Sequence, residues 1–236
     1  MLAIVIPAHN EAAHIGACVA AARRAAHHHQ LLGEPARVIV VADSCTDETG
    51  DIAQALGADV ACIEARNVGI ARACGAERAL ALGARWLAFT DADTTVAQDW
   101  LVRQLECRAD AVCGVIGVHD WSPHLGAVRE HFGRTYTDAD GHRHIHGANL
   151  GVSAQAYLRA GGFPPLESSE DVAFVEALIA TGASIEWSAS PRVVTSARTD
   201  FRAKQGFGAT LLEVSRRYLP ITTDAADSAD AVAIAA

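Results

Sequence analysis

The sequence predicts an α/β fold: a central, mostly parallel sheet flanked by helices. Two observations predict it. Short runs rich in Val and Ile alternate with longer Ala-rich stretches of helical periodicity, the rhythm of βαβ units. Within the runs apolar residues follow one another without alternation, so both strand faces are buried, as in parallel sheets covered by helices. With 236 residues, half of them hydrophobic, there is enough apolar material for a full core.

The elements follow in order. Leu2 to Pro7 reads as the first strand, and the Ala-rich 11–26 as a helix whose solvated end is marked by His27, His28 and His29, favourably placed against the helix dipole. Residues 37–42 form a second strand, and 47–56 a helix with Asp43 and Asp47 as a capping pair. Strands at 59–64, 86–90 and 112–118 alternate with helices at 70–83 and 97–108. After about residue 120 the rhythm gives way to a loop rich in His, Gly and Asp that runs to Gly147. A strand-like 148–153, a helix near 170–181, and strands near 184–188 and 192–196 follow. The small, repetitive residues of 222–236 bury little and are expected to be a disordered tail.

The formal charge of −9 argues against nucleic acid or an anionic membrane as partner, because both reward clustered Lys and Arg. Six cysteines without a CxxC pair read as reduced thiols. The N-terminal apolar run stops at Pro7 and has no basic flank, so neither a secretory signal nor a spanning helix is expected. The expected location is the cytoplasm.

Three polar segments end predicted parallel strands: Pro7 to Glu11, Ala42 to Thr49, and Asp91 to Asp93. Right-handed crossovers place such ends on one rim, where open α/β sheets bind ligands. Asp91 and Asp93, two apart in extended chain, project to one side and suit a hard divalent cation, which could also hold a diphosphate. A lone D-x-D is more often a cap and a solvated carboxylate. The buried strand before it and the two polar loops beside it tip the balance toward a ligand site.

The chain resembles the nucleotide-sugar-dependent glycosyltransferases of family two, which have the GT-A fold. The resemblance runs to about residue 197 and rests on five segments in order: VIPAHNE (5–11), ADSCTDET (42–49), NVGIARACG (67–75), TDADT (90–94), and GANLGVSAQAYLRAGGF (147–163) followed by ESSEDVAF (167–174). It implies one domain over 1–221, with a nucleotide-binding half at 1–118 and an acceptor and catalytic half at 119–221. It implies transfer of one sugar from a nucleotide diphosphate sugar, UDP-linked by preference, to an acceptor hydroxyl, with inversion and with Mn²⁺ or Mg²⁺.

By the same resemblance Pro7, Ala8, Glu11 and Asp43 hold the base, Asp43 accepting the imide N–H of uracil. Arg72 stands near base and phosphate, or is a solvated helix-face arginine. Asp91 meets the ribose or a water-bridged metal, and Asp93 ligates the metal. Asp171 is the base that activates the acceptor, with Glu170 beside it, and Gly147, Ala148 and Asn149 border the sugars.

This sequence departs from the family pattern in places. Ser44 and Cys45 stand at the usual Gly-Ser positions, Ala73 replaces an Asn, and no histidine follows His146; Arg198 could meet the diphosphate in its stead. The Q-x-x-R-W signature of processive synthases is absent, Gln205 being followed by Gly208 and Ala209 at the matching spacing. His142, His144 and His146 read as part of an acceptor loop, not a zinc site. Two other readings stay open: a sugar nucleotidyltransferase, which would want a Gly-rich phosphate loop after the first strand, and a non-catalytic sugar-nucleotide-binding relative.

Overall fold

The computed structural model describes residues 1–199 and 207–218. In chain order the elements begin with β1 (Leu2–Ala8), α1 (Ile15–Ala26), β2 (Ala36–Asp43), α2 (Thr49–Ala55), β3 (Asp59–Ile63), α3 (Val68–Ala81) and β4 (Trp86–Phe89). Then come β5 (Thr95–Val96), α4 (Trp100–Glu106), β6 (Ala111–Val118), α5 (Gly126–Thr135), β7 (Leu150–Ser153) and α6 (Ala154–Ala160). The last described elements are α7 (Glu170–Ala180), β8 (Ile185–Thr195) and α8 (Phe207–Tyr218). The strands form one sheet in the order β3-β2-β1-β4-β7-β6-β8-β5. The first four are mutually parallel, β6 and β8 are parallel, and β7 runs antiparallel between β4 and β6.

Alternation along β1 divides the core into two. Leu2, Ile4 and Ile6 point to the side covered by α1 and α4, where Val19, Trp100 and Leu101 are buried. Ala3 and Val5 point to the other side, against α3 and α7, with Phe89, Phe174 and Leu178. The uninterrupted apolar strands are thus buried on both faces, as their composition requires.

The structure corrects the sequence reading at several points. The helix expected from residue 11 starts at Ile15, because Glu11 to His14 form a turn with the Glu11 carbonyl accepting from His14 and Ile15. Residues 119–147 are not all loop: 126–135 form α5, an amphipathic turn of chain too polar on one side to stand out in the sequence. The two strands expected at 184–188 and 192–196 are one, β8, whose pairing with β6 jumps from Ser188↔Gly114 to Arg192↔Val115. Pro191, which cannot donate to a ladder, sits in the resulting bulge. The strand expected at 148–153 begins only at Leu150, after a short 3₁₀ turn at Gly147–Asn149. The expected tail, 222–236, and the last residues of the expected domain lie outside the described residues. All six cysteines are free thiols. Among the described residues no helix is long and apolar enough to cross a membrane.

Candidate active site

The carboxyl ends of β1, β2 and β4 open on one rim, and a cleft of about 760 Å³ lies over them. Pro7, Ala8, Glu11, Asp43, Arg72, Asp91, Asp93, Gly147, Ala148, Glu170 and Asp171 all line it. Of the candidate residues, only Asn149 departs. It is fully buried, donating to the Val115 and Pro191 carbonyls and accepting from the Trp100 indole N–H, so it bolts the β8 bulge to β6 and α4.

Asp43, at the end of β2, is a loop anchor. Its Oδ1 accepts from the N–H groups of Ala65 and Arg66 at 2.7 and 2.8 Å and from the Ser44 hydroxyl; its Oδ2 accepts from Asn67 N–H at 2.8 Å. Burial pushes its pKa up, but these donors outweigh that and hold it below the usual carboxylate value. Asp47 takes the capping work instead, accepting from Thr49 and from Ala12 N–H. Ser44 adopts φ 52°, the left-handed region that glycine enters most easily, at the position where the family pattern has glycine. The replacement therefore leaves the turn itself in place. Asn10 and Arg66, on the same rim, share that conformation. Cys45 donates to the Ala8 carbonyl and accepts from Asn10 N–H, and burial raises its pKa, so it is a packing thiol.

Asp91 and Asp93 are not in extended chain as expected; they sit in a turn closed by Thr94 N–H on the Asp91 carbonyl. The two carboxylates consequently meet different partners. Asp91 accepts from Arg72 Nη2 at 2.5 Å, while Arg72 Nη1 donates to Glu170. Arg72 is therefore no surface residue: it is buried, and joins the β4 loop to the start of α7. Gly147 lies flat against the same guanidinium, where a Cβ would come within 2.2 Å of Nη1.

Asp93 is largely buried, and Arg198 bridges it to Glu11, 3.3 Å from Asp93 and 2.5 and 2.9 Å from the two Glu11 oxygens. Burial, Asp91 and Glu11 push the Asp93 pKa up to about 6, against the pull of Arg198 and His14. A carboxylate charged at such cost is one that a cation stabilises, and its hard oxygens suit Mg²⁺ or Mn²⁺. Among the described residues no group of three or more His, Cys, Asp or Glu side chains stands ready to hold a metal. Asp91 and Asp93 are the carboxylates through which the cleft could hold such a cation, each here paired with an arginine.

Across the cleft, Ser169 enters α7 at φ 58° and Asp171 follows in its first turn. Asp171 Oδ2 accepts from Gly147 N–H at 2.7 Å and Oδ1 from Val172 N–H at 2.8 Å, which fixes the carboxylate. His146, next to Gly147, meets the Tyr136 hydroxyl at 3.1 Å; burial and His144 push its pKa down to about 4. Tyr136, Phe132 and Phe207 also line the cleft. Nothing in the sequence pattern singled them out, since a lone aromatic in a polar stretch carries no period. His144 and Tyr136 stack with ring centroids 4.1 Å apart.

No curated protein sequence matches the chain. Among solved structures it is similar to Staphylococcus aureus TarS 1-349 in complex with UDP-GlcNAc, at 14% identity and TM-score 0.67, over 87% of this chain and 61% of that one. It is similar to the mannosyltransferase PcManGT from Pyrobaculum calidifontis in complex with GDP-Man and Mn²⁺ (17%, TM-score 0.61, 85% and 58%), and to GalNAc-T7 with UDP, GalNAc and Mn²⁺ (15%, TM-score 0.62, 86% and 44%). The chain spans less than two thirds of each of these structures. At such identities the likeness shows a shared GT-A fold. Residues 3–159, well over half of the sequence, match the family described as Glycosyl transferase family 2, and the chain belongs to that family.

Proposed function

We propose that the chain moves one sugar from a nucleotide diphosphate sugar to an acceptor hydroxyl, with inversion at the anomeric carbon. The observation that carries this reading is that Asp91, Asp93 and Asp171 line one cleft. Family membership and the nucleotide sugars held by similar structures support it.

UDP is the preferred carrier in this reading, because Asp43 Oδ2, which accepts from Asn67 N–H, has lone-pair capacity left for the imide N–H of uracil. Asp171 accepts the proton of the acceptor hydroxyl as that oxygen bonds to the anomeric carbon. The bond from carbon to the diphosphate oxygen breaks on the opposite face, and its electron pair leaves with the nucleoside diphosphate. A divalent cation held by Asp93, and by Asp91 directly or through water, would supply charge neutralisation for the departing diphosphate. Arg72 keeps Asp91 and Glu170 in place on either side of the reacting centre. The six free thiols agree with a cytoplasmic setting.

The test is product analysis with UDP- and GDP-sugars, with and without Mn²⁺. Release of nucleoside diphosphate is the expected result. Pyrophosphate release would indicate nucleotidyl transfer, tight binding without release a non-catalytic binder, and no nucleotide binding at all would end the proposal.

A further inference from the structure

Three carboxylates, Glu11, Asp91 and Asp93, line the donor side of the cleft, and two arginines answer them in different ways. Arg72 is 3% exposed, packed on Phe163 and locked between Asp91 and Glu170. Arg198 is 17% exposed, and its fork is shared unequally. Nη1 and Nη2 grip the two Glu11 oxygens at 2.9 and 2.5 Å, whereas Asp93 is reached by Nη2 at 3.3 Å. The Glu11 contact has the length and two-pronged geometry of a strong charge-assisted pair; the Asp93 contact is longer than such bonds run.

The main chain on both sides of this bridge is anchored. Ala197 is buried with Val128, Leu211 and Val214, its carbonyl accepts from His124 Nε2 at 2.7 Å, and Arg198 N–H donates to Ser196 Oγ at 3.2 Å. Glu11 is buried as well; its N–H donates to Thr49 Oγ1 at 2.7 Å and its carboxylate meets His14 Nδ1 at 3.1 Å. A change of partner at Arg198 is therefore a rotation of its long side chain about a fixed backbone, with Glu11 as a fixed tether.

A divalent cation drawn to Asp93 meets a guanidinium already beside that carboxylate, and two positive groups at contact distance repel. A cation that binds only while the guanidinium is turned away has its affinity reduced by the fraction of molecules in which Asp93 is open. A diphosphate shifts this balance, since its oxygens supply ligands to the cation and acceptors that match an arginine fork. We propose that Arg198 is a resident counter-ion that yields Asp93 to the incoming cation while Glu11 keeps hold of it, and that the released Nη2 donor turns to the diphosphate. Metal and nucleotide then bind strongly only together. This rests on the glycosyl-transfer reading and gives that site an ordered donor side.

The experiment measures two affinities in the parent, Arg198→Met and Arg198→Lys: that of Mn²⁺ alone, by loss of the free-ion electron paramagnetic resonance signal, and that of UDP or GDP in saturating Mn²⁺, by calorimetry. Arg198→Met should bind Mn²⁺ alone about tenfold more tightly than the parent and the nucleotide about tenfold more weakly. A residue that only supports the fold would not move the two in opposite directions. Arg198→Lys keeps the charge but not the fork and should fall between the other two in both measurements; it also carries the test if Arg198→Met does not fold. A Mn²⁺ affinity that is unchanged or weaker in both variants overturns the exchange and leaves glycosyl transfer standing. A gain for Mn²⁺ confined to Arg198→Met, with Arg198→Lys at the parental value, also overturns it, since net charge alone then sets the affinity. A gain for Mn²⁺ without a loss for the nucleotide overturns the diphosphate contact. Absence of nucleotide binding in the parent overturns the transfer reading and this proposal with it.

Discussion

Arg72 and Glu170 form an ion pair buried on both sides, with side chains 3% and 5% exposed, in the lining of the cleft. The other arm of the same guanidinium holds Asp91 on the donor side, and Phe163 lies under it with its ring centroid 5.7 Å away. One arginine thus ties the β4 turn to the helix that carries Asp171.

Removing one partner of a buried pair strands the other charge in a poor solvent. Arg72→Met should therefore cost about 3–5 kcal/mol of folding stability, read by chemical denaturation. Glu170→Gln keeps an acceptor for the guanidinium and should cost clearly less. Equal losses from the two would mean that shape, not charge, holds this junction.

Asp93→Asn should abolish most of the Mn²⁺-dependent gain in nucleotide affinity without lowering the melting temperature. Asp93 is charged at the expense of burial and of its acidic neighbours Asp91 and Glu11, so a neutral isostere relieves repulsion even as it removes a metal oxygen. Titration calorimetry with and without chelator checks the first part and calorimetric melting the second. Identical affinities in parent and variant would remove Asp93 from the metal site.

Asp171→Asn keeps the size of the side chain and its bond from Gly147 N–H but loses basicity. Donor affinity should persist while turnover falls by roughly 10²-fold or more. Glu170→Gln should lower turnover less, since Glu170 is turned to Arg72. The reverse order in a turnover assay would exchange the two assignments.

Asp43 makes a pH prediction. Its folded pKa is depressed below the ordinary carboxylate value of 3.8, so it contributes stability that is present above that value and is lost as pH falls through the lower folded one. Asp43→Asn should thus destabilise the protein at pH 7 and flatten the acid limb of its stability curve. Asp43→Ala should go further: three backbone N–H groups at 65–67 lose their acceptor, and UDP binding should weaken even without metal. Urea midpoints across the acid range and a UDP titration in chelator measure both effects.

The sequence by itself determined the α/β alternation, because a strand buried on both faces must be apolar throughout and a covering helix must repeat near 3.6 residues. It also determined that Pro7, Asp43, Asp91 and Asp93 share a rim, since parallel strands with right-handed crossovers leave their carboxyl ends no other place. Family motifs added Asp171 and its neighbours, which periodicity alone would have read as an ordinary acidic helix start. What those residues touch was decided only in three dimensions. That Arg72 turns inward to Glu170, 98 positions away, that Asn149 bolts a bulge instead of lining the cleft, and that Arg198 closes on Glu11 across 187 positions all depend on long-range packing, for which local pattern holds no signal. The same is true of α5 and α8. Each is amphipathic and short, and its apolar face acquires meaning only against the other, where Val128 meets Leu211 and Val214.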